Sequence, residues 1–254
     1  MSDPLVWLPF DPAELDDAGG APSSLRYEVV DPREHVPDSV GDVRLYVAPY
    51  AMGPEVGDVL ERMTSLEVVQ VLSAGVDNVR SRVPEGVTLC NGRGIHDTST
   101  AELALTLTLA SLRDVPGMVR DQEAHFWDTR WRPSLADRRV LLVGYGAIGR
   151  AIEARLRPFE VEVVRVARSA REEPEGPVHA FTELPDLLPS ADVVILICPL
   201  TDETRGLVDA DFLARMPDGA LLVNMARGQV VVTDALLAEL HARRLSAAVD
   251  VVDE

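Results

Sequence analysis

The sequence predicts an α/β fold built on a doubly wound parallel sheet. Two observations carry that prediction. Short apolar runs alternate with helical patterns almost throughout the 254 residues, the order expected when helices cover parallel strands on both faces. At one junction, Val140 to Arg150 reads VLLVGYGAIGR, an apolar strand ending in Gly144, Gly146 and Gly149 and opening into an amphipathic helix. In such a GxGxxG turn the first glycine permits the tight reversal, the second lets a pyrophosphate reach the backbone, and the third lets helix and strand pack closely. Free amides at the helix N-terminus then face the phosphates. The turn predicts a dinucleotide site in a Rossmann-type domain.

In chain order, residues 5–8, 28–30, 43–48, 68–72 and 87–90 are expected as short strands, with a helix over 54–63. A long helix is expected from Ser99, where Ser99 and Glu102 stand at capping-box spacing. A polar, Trp-containing connection over 126–139 leads into a second series of strands at 140–144, 162–166, 193–198, 221–224 and 247–252, with helices between them. The nearly continuous apolarity of VVILIC and ALLVN suits central parallel strands. The charged stretch REEPEGP, residues 171–177, is expected as a solvated loop. The chain divides near residue 92, into 1–92 and 93–254.

At 46% hydrophobic and 26% charged, the composition supports a substantial core. The 24 cations, all arginine, face 42 carboxylates for a net charge of −18. That field repels phosphate, so neither nucleic acid nor an anionic membrane is expected as a general partner. Any anion site must use local arginines. The N-terminal MSDPLVWLPFDP lacks the basic region of a secretory signal, and no apolar stretch reaches the length of a membrane span. Residues 101–112 and 193–200 read as buried core. Cys90 and Cys198 read as small buried hydrophobes in a reducing cytoplasm, with no metal-site context.

A ribose-binding carboxylate normally closes the second strand of an NAD site, about 20 residues beyond the glycines. Here Ala167 occupies that position, followed by Arg168 and Ser169. A guanidinium and a hydroxyl can hold a 2′-phosphate, which favours NADP while leaving NAD possible.

Downstream of these motifs, DVVILICPLTDETRGLV from Asp192 and ALLVNMARGQVVVTDAL from Ala220 follow. Together with the glycine turn they closely resemble the D-isomer-specific 2-hydroxyacid dehydrogenases, a family that includes glyoxylate/hydroxypyruvate reductases. The resemblance covers residues 65–252. It extends to VLSAGVDNV from Val71, similar to the family's substrate-carboxylate loop, and to NGRGIHDTSTAE from Asn91, similar to its interdomain hinge.

The resemblance implies a smaller, flavodoxin-like substrate domain beside the cofactor domain. The implied reaction passes hydride between nicotinamide and a small 2-oxoacid or D-2-hydroxyacid. Ala147 and Ile148 would meet the pyrophosphate, and Arg168 and Ser169 the adenosine ribose. Cys198, Pro199, Met225, Ala226 and Asp250 would line the rest of the groove. Arg227 would be the catalytic arginine, its fork binding the acid and polarising the carbonyl. Backbone amides of Ala74, Gly75 and Val76 would hold the substrate carboxylate.

By register, the family's glutamate would fall just after Glu254, with its proton-donating histidine further on. The chain is therefore expected to be C-terminally truncated, and to bind NADPH while reducing glyoxylate poorly. A homodimer through the cofactor domain is implied, with the helix near Ser99 contributing. The alternative is a dinucleotide sensor or corepressor-like protein without turnover. His96, just before a helix, is expected as a cap or packed ring, and His35, His125, His179 and His241 as surface residues. Asp77 and Asn78 shape a turn, while Trp127 and Trp131 pack or anchor an interface.

Overall fold

A computed structural model describes residues 3–50 and 54–253. The chain forms two compact units, Met1–His96 and Asp97–Glu254, each built on its own sheet.

The first unit contains β1 (Leu5–Leu8), β2 (Arg26–Val29), β3 (Val43–Val47), α1 (Pro54–Leu60), β4 (Val68–Gln70) and β5 (Thr88–Cys90). Its strands lie in the order β2-β1-β3-β4-β5, every pair parallel, the arrangement of flavodoxin-like sheets. β1 is apolar on both faces because both are covered. Leu5 and Trp7 join Val43, Tyr46 and Val69 on one side, while Val6 and Leu8 join Val47 on the other. The Trp7 indole N–H donates to the Glu28 carboxylate at 3.0 Å, so the buried ring keeps its polar handle satisfied.

The second unit opens with α2 (Asp97–Leu112) and α3 (Val115–Glu123). It continues through β6 (Arg139–Val143), α4 (Ala147–Leu156), β7 (Glu162–Ala167), β8 (Arg171–Glu173), β9 (Gly176–Ala180) and α5 (Leu184–Leu187). β10 (Val193–Leu196), α6 (Ala210–Arg215), β11 (Leu221–Asn224), α7 (Thr233–His241) and β12 (Ser246–Val249) complete it. The sheet order is β12-β11-β10-β6-β7-β9-β8, parallel except for β8 against β9. β6 alternates between two covered faces. Val140 and Leu142 meet Ala101, Ala104, Ile152 and Leu156, whereas Leu141 and Val143 meet Val164, Leu188 and Phe212. From β6 the chain winds outward to β7 and β9, then returns to β10 on the other flank. That reversal opens a crevice at the carboxyl ends of β6 and β10, where open α/β sheets bind their ligands.

Several boundaries differ from expectation. β4, β10 and β12 stop two or three residues short of their apolar runs, because the residues beyond leave the ladder to form loops at the sheet's carboxyl edge. α2 begins at Asp97, so Ser99 and Glu102 sit inside the helix instead of capping it. α1 ends at Leu60.

The stretch 171–177 is mostly exposed, as expected, but it is not a loop. It forms most of a hairpin between β8 and β9, turning through Gly176 at φ 118°. Glu173 accepts from Arg150 on α4 at 2.7 and 2.8 Å and from Arg171 within the hairpin at 2.8 Å. Trp127 and Trp131 are 86% and 83% exposed, so neither packs into the unit's own core. No helix among the described residues is long and apolar enough to cross a membrane.

Candidate functional site

The glycine turn leaves β6 with Gly144 at φ 114°. A side chain there would be strained, and its Cβ would lie 2.5 Å from the Cys198 amide nitrogen where the chain leaves β10. At Gly149 a Cβ would collide with the Gly144 carbonyl, so helix and turn touch backbone to backbone. Gly146 differs from both. It is exposed, and a Cβ there would meet nothing within 4 Å. The turn thus combines two glycines required by packing with one facing open space, above the half-buried Ala147 and Ile148 that begin α4. Orphan amides of that first turn provide an anion cradle without side chains. These features fit a dinucleotide pyrophosphate.

A buried polar strap fixes the turn from behind. Glu153 on α4 is 3% exposed. Its carboxylate accepts from the Tyr145 hydroxyl at 2.5 Å and from both forks of Arg165 on β7. Desolvation raises the Glu153 pKa, but the hydrogen bonds from Arg165 and Tyr145 outweigh it and hold the carboxyl below its usual range. The Tyr145 carbonyl accepts from Arg171 at 2.8 Å, linking the turn to the β8–β9 hairpin.

Other expected cofactor residues lie just past the carboxyl ends of neighbouring strands. Arg168 and Ser169 follow β7 and are exposed. The Arg168 Nε is 2.7 Å from the Glu203 carboxylate. Cys198 and Pro199 follow β10, and burial pushes the Cys198 thiol up to about 11, keeping it protonated at neutral pH. Met225 and Ala226 are buried after β11, and Asp250 is exposed after β12.

Arg227 is half-buried, with extended backbone. The Asn224 amide organises the turn that carries it. Its oxygen accepts from the Ala226 N–H at 3.0 Å, and its nitrogen donates to the Arg227 carbonyl at 3.0 Å. Gly228 is packed so tightly that a Cβ would collide with the backbone of Val252 and Asp253. The sequence reading assigned nothing to Asn224, Gly228, Glu203 or the Tyr145–Glu153–Arg165 strap. An asparagine closing an otherwise apolar strand is the signal that could have found Asn224, since a buried amide must find partners.

In the first unit, Ala74, Gly75 and Val76 follow β4 in a half-buried turn. Ser73 donates to the Gly75 carbonyl at 2.7 Å and Asn91 to the Ala74 carbonyl at 2.8 Å. None of the three amides donates to a protein acceptor among the described residues, so this turn can present N–H groups to an anion. His96 places Nε2 3.1 Å from the Leu72 carbonyl, with its ring edge-on to Tyr50 at 5.3 Å. Asp77 and Asn78 are exposed, as are His35, His125 and His241. His179 is instead half-buried, its Nδ1 2.8 Å from Glu183. Glu254 lies outside the described residues. Among the described residues, no group of three or more His, Cys, Asp or Glu could hold a metal ion.

Comparison with known proteins agrees with this geometry. A family model described as D-isomer specific 2-hydroxyacid dehydrogenase, NAD binding domain, matches residues 105–254. The human glyoxylate reductase/hydroxypyruvate reductase is 31% identical over 194 residues, covering 72% of this chain and 59% of that protein. A glyoxylate reductase of Pyrococcus horikoshii is 32% identical over 210 residues, covering 78% of this chain and 63% of that protein. The match to these two relatives thus spans about three fifths of their length. A D-isomer specific 2-hydroxyacid dehydrogenase from Xanthobacter autotrophicus Py2, solved in complex with NADPH and MES, superposes with TM-score 0.82 at 27% identity, covering all of this chain and 82% of that one. On the combined evidence of fold, glycine turn and family match, the chain belongs to the D-isomer specific 2-hydroxyacid dehydrogenase family.

Proposed function

We propose that this protein is a reductase that passes hydride from NADPH to the carbonyl carbon of a small 2-oxoacid, glyoxylate or hydroxypyruvate being the first candidates. The observation that carries the reading is the convergence of Gly144–Gly149, Arg168–Ser169, Cys198–Pro199, Met225–Arg227 and Asp250 just past the carboxyl ends of five adjacent strands. The glyoxylate reductases among its relatives and the NADPH complex of a structural neighbour support the substrate class and the cofactor. They favour turnover over a sensor or corepressor role.

In this reading residues 1–92 form the substrate domain and 93–254 the cofactor domain. NADPH supplies the hydride at its nicotinamide ring. The amides of α4 bind the pyrophosphate, and Arg168 with Ser169 binds the 2′-phosphate. Arg227 binds the substrate carboxylate and stabilises negative charge as it grows on the carbonyl oxygen, a role that Lys would fill poorly. In the first unit, the amides of Ala74, Gly75 and Val76 are the proposed carboxylate-binding groups. The protein acts as a homodimer in the cytoplasm. Exposed Trp127 and Trp131 offer apolar surface for a partner copy, and α2 is a further contributor.

The test is steady-state oxidation of reduced nicotinamide by a panel of 2-oxoacids, using the natural full-length protein. NADPH should be used well ahead of NADH. Arg227→Ala should lower kcat/KM by about 10²–10³, the loss typical of one electrostatic donor at a developing oxyanion, and Arg227→Lys should recover little of it. Full turnover by Arg227→Ala would overturn the assignment.

A further inference from the structure

The Arg168–Glu203 ion pair has a position that the cofactor reading leaves unexplained. Arg168 follows β7, and Glu203 lies in the turn after β10. In the sheet, β6 runs between those two strands, so the pair spans the carboxyl end of β6, where the glycine turn begins. Among the described residues, Glu203 is the carboxylate paired with Arg168.

The turn that carries Glu203 is held firmly. Thr204 is buried, and its hydroxyl accepts from the Thr201 N–H at 2.8 Å and donates to the Pro199 carbonyl at 2.6 Å. The Arg205 N–H donates to the Thr201 carbonyl at 2.9 Å. Pro199 is itself an expected groove residue, so the carboxylate is tied to the groove wall and does not trail from a loose loop.

We propose that Glu203 is a specificity-determining residue, which competes with the 2′-phosphate of NADP for the Arg168 guanidinium and so moderates the preference for NADP over NAD. The proposal rests on the reading of Arg168 as the phosphate ligand. Both side chains are more than half exposed, and such pairs contribute little to stability. A phosphate dianion, with twice the charge and three acceptor oxygens, can therefore displace the carboxylate. The displaced carboxylate remains nearby on its fixed turn and repels the phosphate across a solvated gap. Like-charge repulsion of this kind in a high-dielectric setting corresponds to about three- to tenfold in affinity. An unphosphorylated 2′-hydroxyl is not subject to it.

The experiment is a comparison of dissociation constants for NADPH and NADH, at one low ionic strength, in wild type, Glu203→Gln, Arg168→Ala and the double variant. Glu203→Gln should bind NADPH about three- to tenfold more tightly and change NADH by less than about twofold. That gain should become smaller in the Arg168→Ala background, where the direct repulsion remains but the competition for the guanidinium is gone, and it should shrink with added salt. If Arg168→Ala weakens NADPH but Glu203→Gln leaves it unchanged or weakens it, the competition is refuted and the phosphate reading stands. If Arg168→Ala leaves NADPH binding untouched, the phosphate reading itself falls, and the competition with it.

Discussion

Arg227 depends on a neighbour for its placement. Asn224 is 2% exposed and satisfies both ends of its amide on Ala226 and Arg227. Replacing it with Ala leaves the Ala226 N–H and the Arg227 carbonyl without those partners in a buried turn, at a cost of about 1–3 kcal/mol. The expected outcome for Asn224→Ala is a kcat/KM toward 2-oxoacids reduced about 10- to 100-fold, since small displacements of a positioning group carry penalties of that order. NADPH affinity should stay within about threefold, which separates loss of positioning from loss of the groove. An unchanged kcat/KM would remove Asn224 from the machinery. The two cysteines offer a second residue-scale check. Cys198 is buried, with its thiol pushed up to about 11, while Cys90 is partly exposed. Thiol reagents at neutral pH should label Cys90 first and reach Cys198 only on unfolding, because the thiolate is the reactive species.

At the scale of the element, the glycine turn and α4 combine two separable demands. Gly149 meets a packing demand, since a Cβ there has no room against the Gly144 carbonyl. Gly146 meets no packing demand, since a Cβ there meets only open space, and in the proposed site it lets the pyrophosphate approach. Gly149→Ala should therefore lower the thermal midpoint. Gly146→Val should leave it nearly unchanged and cost at least about tenfold in NADPH affinity, read by fluorescence titration of the cofactor. If Gly146→Val bound NADPH normally, the pyrophosphate would have to sit elsewhere. Behind the turn, Glu153→Gln would leave Arg165 charged and largely buried, opposite a neutral partner. Breaking a buried pair from one side is worth about 3–5 kcal/mol, measurable as a shift in the denaturation midpoint. The strap was not legible in the sequence. Tyr145, Glu153 and Arg165 become partners only when α4 packs on β7, and charged residues scattered along two elements read as solvated faces until that packing is known.

For the whole molecule, acid should act through depressed carboxylates. Glu153, Glu183 and Glu239 lie below their usual range, and the guanidinium hydrogen bonds from Arg150 and Arg171 hold Glu173 at about 2. Their folded pKa values lie below the unfolded ones, so their contribution is complete above about pH 5 and is lost as pH falls toward about 2. The thermal midpoint should stay flat from about pH 8 to pH 5.5 and drop below that. A midpoint that rises through that window would show that relief of self-repulsion from the net charge of −18 outweighs the ion pairs.

The sequence by itself determined the alternation of strands and helices, the glycine turn and its dinucleotide, and the local motif around Arg227. Each of these is written in residues adjacent along the chain, as spacing, apolar runs or a glycine that no other residue can replace. It read the exposed stretch 171–177 as a loop where a hairpin forms, because charge density alone does not show that Glu173 finds Arg150 and Arg171. It also ran several strands past their true ends, because apolar residues continue into the loops of the carboxyl edge. Only the tertiary structure decided which residues meet across the sheet: Glu203 with Arg168, Glu153 with Arg165, Gly144 with Cys198. Those contacts depend on strand order, and strand order is set when both faces of β6 are buried at once, a global constraint that no local stretch of sequence records.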